Sequence, residues 1–302
     1  MIDPQIHRAR VSGGELAYLA MGDPEDPPVL LLHGFPGSSY SWRLLAPLLS
    51  PWMYVVAPDL LGCGDSDKPE LADLSLLAQT GYVRELLGAL RVERFAAVGH
   101  SHGGGIAQLL AIGGGVEALI LIDAIAFDAW PWDALVEPLE GGPREASHGR
   151  VRGAIGRAFD LGMGHRSLLA EEDLEAYRRP FEGAGGPAAF ERLARALDGR
   201  GLTDVEPALR ALEVPALLLW GEDDPFLPVS VAERLADALP MSSLAALPGC
   251  SHFLMEDAPE TVVPLIFEYL RAVYLREAHV HEEPGPVRIA IGRRPPSEEV
   301  AT

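Results

Sequence analysis

The 302-residue sequence predicts an α/β protein: a mostly parallel sheet of eight strands, with helices on both faces and a helical cap inserted after the sixth strand. Three observations predict it. Short, almost continuously apolar runs bounded by Gly, Pro and Asp alternate with stretches of helical periodicity, the pattern of parallel strands buried on both faces. The alternation lapses once, between about 126 and 202, and then resumes. The first two strand-like runs are joined by Ser12-Gly13-Gly14, a hairpin turn that places an antiparallel pair at a sheet edge.

In chain order, IHRARV (6–11) and GELAYLA (14–20) form that hairpin. The parallel strands are PVLLLHG (28–34), WMYVVAPD (52–59), RFAAVGH (94–100), VEALILIDA (116–124), VPALLLWG (214–221) and SSLAALPG (242–249). Leu74, Leu77, Ala78, Val83, Leu86, Leu87 and Leu90 recur at the spacing of one apolar helix face. Within the lapse, three helical stretches (144–161, 167–179, 187–198) are separated by glycine-rich breaks. Thr203 with Glu206 has capping-box spacing and restarts the main fold with a helix. Ser230 with Glu233 has it again ahead of Val231–Leu239, and Pro259–Leu275 reads as the last helix. The expected division is a core of 1–124 and 206–275, a helical insertion of 125–205, and a tail of 276–302. The tail is rich in Pro, Glu and Arg, yet Val287, Ile289 and Ile291 alternate, so it reads either as a disordered end or as an added edge strand.

Composition narrows the function. Hydrophobic residues make up 48% of the chain, which is normal for a packed globule. Asp and Glu outnumber Lys and Arg 44 to 24, a formal charge of -20. A field of that sign repels nucleic acid and anionic lipid, so neither is an expected partner. The N-terminal MIDPQIHRAR lacks the apolar segment of a signal peptide, and the longest apolar stretch falls short of the roughly 20 residues of a membrane span. A soluble cytoplasmic protein is therefore expected. Cys63 and Cys250 are too few for a disulfide framework or a zinc site, and no cofactor is expected.

The chemistry resides in three loops. Gly99-His100-Ser101-His102-Gly103 follows a strand and opens a helix, the setting of a nucleophile elbow, and Ser101 stands at its tip. Glycines two places either side let strand and helix approach without Cβ clashes. A serine hydroxyl is a poor nucleophile at neutral pH and needs a base held by a third group. Both follow in the chain: Gly221-Glu222-Asp223-Asp224-Pro225 after one strand and Gly249-Cys250-Ser251-His252-Phe253 after the last. Both leave the strand ends where ligands of open α/β sheets bind. His252 is the expected base and Asp223 or Asp224 the acid. His33 is expected to hold its loop by hydrogen bonds and His100 to point beneath the elbow. The backbone NH of His102 is one expected oxyanion donor, and Phe35, in the loop after the first parallel strand, supplies the other. Trp130, Trp132, Phe159, Phe226 and Phe253 are candidates to line a hydrophobic substrate pocket.

Together HGFPGSSYSW, PDLLGCGDSDKP, GHSHGG, LLLWGEDDPFLP and GCSHFLMEDAPE resemble, in the same order, the α/β-hydrolase superfamily and its capped branch of esterases, epoxide hydrolases and haloalkane dehalogenases. The resemblance covers about 5–275. It implies the α/β-hydrolase fold, places the acid on Asp224 with Pro228 closing the G-x-x-D-x-x-x-P motif, and makes YRRPF (177–181) part of the cap. The departures decide the chemistry. Epoxide hydrolases and dehalogenases use a carboxylate nucleophile where this chain has Ser101. Proline iminopeptidases carry a second glycine where Phe35 stands, and carbon–carbon bond hydrolases a tryptophan where Phe253 stands. The expectation is a serine hydrolase of the carboxylesterase type acting on a small-molecule acyl substrate: an ester, thioester or lactone. A cofactor-free haloperoxidase or perhydrolase, or a binding protein that kept the pocket and lost turnover, are the alternatives.

Overall fold

The computed structural model describes residues 5–130, 147–196, 201–276 and 287–288. Strand β1 (Gln5–Val11) pairs antiparallel with β2 (Gly14–Met21) in the expected hairpin, Val11 opposite Gly14. Then follow β3 (Pro28–Leu32), a short helix α1 (Ala46–Leu49), β4 (Tyr54–Pro58), α2 (Leu76–Ala89), β5 (Phe95–His100), α3 (His102–Ile112) and β6 (Val116–Ile122). The cap contributes α4 (His148–Gly162), α5 (Glu171–Arg178) and α6 (Gly186–Ala196). The core resumes with α7 (Glu206–Arg210), β7 (Ala216–Gly221), α8 (Val229–Ala238), β8 (Ser242–Leu247), α9 (Leu254–Asp257) and α10 (Pro259–Arg276). Of the tail beyond α10, the described part is β9 (Val287–Arg288), parallel to β8 with Ser243 opposite Val287. It covers two residues of the expected 287–292 run, whose remainder lies outside the described residues.

The strand order is β1-β2-β4-β3-β5-β6-β7-β8-β9, with β2 antiparallel to β4 and every later pairing parallel. Strand β3 lies between β4 and β5, so the chain leaves it in one direction for β4 and returns on its other side for β5. The loops after β3 and β5 therefore part at a topological switch point, where a crevice forms at the strand ends. Alternating residues divide the core by face. Leu30, Leu32 and Ala97 pack with Val83 and Leu86 of α2 and Ile106 of α3. Leu31, Val98, Ile120 and Leu219 pack on the other side with Val262, Ile266 and Leu270 of α10. Each such fully buried aliphatic side chain contributes roughly 1.5–3 kcal/mol by leaving water. No helix among the described residues is long and apolar enough to cross a membrane.

Three local expectations are corrected. Leu77 is exposed rather than on the buried face of α2, because Ser75 caps that helix through Ala78 NH and its phase then turns Leu76, Gln79 and Val83 inward. Ser230 caps nothing: Pro228, with extended backbone, precedes a helix that has already begun at Val229. Thr203 likewise gives way to Val205 at the start of α7. There Glu206 pairs with Arg210 at 2.8 Å and Arg234 at 3.0 Å instead of reaching back to the backbone.

Candidate active site

The turn from β5 into α3 is as tight as its glycines require. Ser101 has φ 50 and ψ -114, a region that L-residues seldom occupy. Its NH donates to Ile122 O at 3.0 Å, and its carbonyl accepts from Gly104 NH at 3.0 Å and Ile125 NH at 3.1 Å. These bonds hold the strained backbone in place. A Cβ on Gly103 would lie 2.1 Å from Leu32 O, and one on Gly99 2.4 Å from Gly103 O, so neither position admits another residue without movement.

His252 follows β8 and is buried to 1% exposure. Its Nδ1–H donates to Asp224 Oδ2 at 2.8 Å. Asp224 Oδ1 accepts from Phe226 NH at 2.8 Å and Leu227 NH at 3.0 Å, so the turn after β7 fixes the carboxylate before the imidazole meets it. Asp223 is exposed, and its NH donates to Cys250 O at 3.0 Å. Of the two sequence candidates, the structure brings Asp224 to His252. The ring of His100, the residue before Ser101, lies 4.9 Å from that of His252, and its Nε2 donates to His252 O at 2.9 Å. Ser101 Oγ and His252 Nε2 are both buried, and neither has a hydrogen-bond partner among the described residues.

The loop after β3 closes over the elbow. A Cβ on Gly34 would sit 2.8 Å from Ser101 Cβ, so only glycine lets this loop pass. His33 behaves as expected: its Nδ1–H donates to Gly34 O at 2.7 Å and its Nε2 accepts from Leu60 NH at 2.9 Å. His102 is the first residue of α3, so its NH has no preceding helical turn to bond and points out of the positive end of the helix dipole. Phe35 packs its ring 4.8 Å from Phe190 of α6. Burial lowers the pKa of His33, His100 and His102, the last to about 3.

Five residues outside the sequence candidates, Asp59, Arg43, Glu256, Asp257 and Asp123, support this site. Asp59 accepts from Ser39 NH and Asp65 NH, each at 2.7 Å, and so ties two loops of the crevice together. Arg43 forms a bidentate pair with Glu256 at 2.6 and 2.8 Å, and Glu256 also accepts from Tyr177 OH of α5 at 2.6 Å. Asp257 accepts from Ser251 NH, Gly164 NH and His165 NH, binding the cap to the loop that carries His252. Asp123, at the end of β6, has φ 39 and accepts from Gly221 NH at 2.8 Å. Burial, and then the charge of Asp224, raise its pKa well above the usual carboxylate range. The sequence held one cue to Glu256 and Asp257, their place four and five residues after His252; Asp59 and Asp123 read simply as strand ends.

Of the aromatic candidates, Phe226 and Phe253 pack against the His252 ring, and Phe159 packs behind them on Phe253. Phe253 stacks on Phe159 at 4.1 Å, and Phe226 meets the His252 ring edge-on at 5.1 Å. Trp130 is partly buried against the core, and Trp132 lies outside the described residues. A cavity of about 480 Å³ opens at the seam between core and cap, lined by Tyr40, Arg43, Lys68 and Arg179 among others, but not by Ser101, Asp224 or His252. The spaces beside Gly34 are far smaller, about 20 and 10 Å³.

A family model described as the alpha/beta hydrolase family matches residues 29–265. An uncharacterized protein of Mycobacterium tuberculosis is 32% identical over 287 residues, covering 88% of this chain and 81% of its own. A haloalkane dehalogenase of Bradyrhizobium diazoefficiens is 28% identical over 291 residues, with 86% and 92% covered. Among solved structures, a membrane phospholipase A described as a bacterial virulence factor superposes with a TM-score of 0.76 at 30% identity, covering 90% of this chain and 87% of that one.

Proposed function

The chain belongs to the alpha/beta hydrolase family, and from that premise we propose that it cleaves a carboxylic ester, thioester or lactone through an acyl-serine intermediate. One observation carries the reading. Ser101 Oγ and His252 Nε2 are buried and unpartnered while the other ring nitrogen is bonded to Asp224. That tautomer leaves Nε2 as an acceptor, the state a general base requires. In the proposed reaction Nε2 takes the Ser101 proton as Oγ attacks the acyl carbon, and Asp224 stabilises the imidazolium that forms. The amides of Phe35 and His102 bind the developing oxyanion. Collapse returns the proton to the leaving alcohol or thiol, and water repeats the sequence on the acyl-enzyme.

A hydroxyl at position 101 supports acyl chemistry over the alkyl-ester route, which needs a carboxylate there; the phospholipase likeness agrees, and the dehalogenase likeness is then one of scaffold. The test is labelling by a fluorophosphonate together with turnover across p-nitrophenyl esters of graded chain length and a set of lactones. Labelling and turnover that both vanish in Ser101→Ala support the reading. Equal ester turnover by that variant, or binding of acyl esters without turnover by the native chain, overturns it.

A further inference from the structure

The space of about 20 Å³ beside Gly34 and Phe35 has an unusual balance of polar groups. Its walls are chiefly Leu60, Leu74, Leu76, Ile106 and Leu193. Three of the polar side chains that reach it are accounted for. Both ring nitrogens of His33 are bonded, and Gln79 exchanges two hydrogen bonds with the backbone of Leu61, at 3.0 and 2.8 Å. The Cys63 thiol, its pKa pushed up to about 12 by burial, stays protonated and is a weak donor. His102 is the exception: it is 5% exposed, and neither ring nitrogen has a partner among the described residues.

A buried imidazole with both nitrogens unbonded is unfavourable, and an apolar residue of similar size would remove the penalty. The void has room for one water, yet among the side chains around it only the His102 ring has both polar atoms unbonded. The same residue donates the backbone NH assigned to the oxyanion, and its side chain lines the void beside Gly34 and Phe35. Resting on the acyl-serine reading, we propose that the His102 imidazole is the specificity contact of the acyl pocket, hydrogen-bonding a hydroxyl or oxo substituent carried near the carbonyl of an otherwise apolar acyl chain.

Two features fix the class of substituent and the half of the substrate. Burial keeps the imidazole neutral, with a pKa of about 3, so it offers one N–H and one lone pair and no charge. Neutral His33 and His100 nearby provide none either, which leaves a carboxylate substituent without compensation for its lost hydration. The alcohol must depart after acylation, whereas the acyl group stays; a small, mostly apolar space suits the part that stays. Leu193, on cap helix α6, is the wall that must withdraw to admit it.

The experiment compares kcat/KM for p-nitrophenyl butyrate, its β-hydroxy analogue and the p-nitrophenyl half-ester of succinate, in the native chain, H102L and H102Q. Expected is a preference of about tenfold or more for the hydroxylated ester in the native chain, rejection of the succinate half-ester, collapse of the hydroxyl preference toward unity in H102L, and partial return in H102Q. The ratio between two substrates cancels any general loss from disturbing the elbow. Equal kcat/KM for the butyrate and hydroxybutyrate esters in the native chain overturns this inference while leaving the acyl-serine reading intact, as does a ratio unchanged in a folded H102L. No turnover of any ester, with no fluorophosphonate labelling of the native chain, removes the acyl-serine reading and this inference with it.

Discussion

At position 224 a carboxylate accepts three hydrogen bonds inside the protein, while its neighbour at 223 faces solvent, and asparagine at each separates their roles. Asp224→Asn is expected to lower kcat by about 10³–10⁴, because the amide cannot hold the Nδ1–H tautomer or stabilise the imidazolium. Asp223→Asn is expected to stay within about twofold, since a surface substitution away from such bonds changes little. Steady-state kinetics on the best ester distinguishes them. The residue types alone left the two aspartates open and the family motif favoured Asp224; in the fold the turn buries Asp224 and leaves Asp223 exposed. Ser101, His252 and His33 were legible because a G-x-S-x-G after a strand and histidines at strand ends have few other arrangements. The unbonded ring of His102 was not, because its lack of partners is a fact about every neighbour at once.

At the scale of elements, the network of Arg43, Glu256, Tyr177, Tyr40 and Asp173 joins the loop after β3, the helix after His252 and cap helix α5. Arg43 reaches Asp173 at 3.2 Å as well as Glu256, and Tyr40 donates to Asp173 at 2.6 Å. Glu256→Ala would strand the guanidinium and the Tyr177 hydroxyl in a site where the Glu256 side chain is 5% exposed. The expected loss is about 2–4 kcal/mol, below the upper range for buried pairs because Arg43 keeps Asp173 and some solvent. Denaturant titration measures it, and a loss below about 1 kcal/mol would show the network to be dispensable. The strands and cap helices were legible from period and punctuation. The helix starts were less so: a capping box is a spacing of side chains, and where Pro228 or Val205 already occupies the start of the helix, that spacing has no cap to make.

For the whole molecule, buried titratable groups set the response to acid. His33, His100 and His102 have folded pKa values below the unfolded value of about 6.5, so they contribute stability above that pH that is lost as pH falls toward the folded values. Asp123 has the opposite sign. Its folded pKa is raised, so its contribution is present below about pH 4 and fades as pH rises above it. Around pH 5 the unfolded chain should hold up to three more histidine protons and one fewer aspartate proton, a slope from these groups of up to about 2.7 kcal/mol per pH unit. Thermal melts between pH 4.5 and 7 check this, and Asp123→Asn should steepen the slope. Ser101 supplies the last consequence. Its φ of 50 and ψ of -114 suit glycine, and its buried hydroxyl has no partner among the described residues, so two small penalties of about 1 kcal/mol or more each coincide at one residue. On the acyl-serine reading, Ser101→Gly should therefore yield a protein that is inert yet melts at a higher temperature than the native one, so that at this position durability and the proposed chemistry oppose each other.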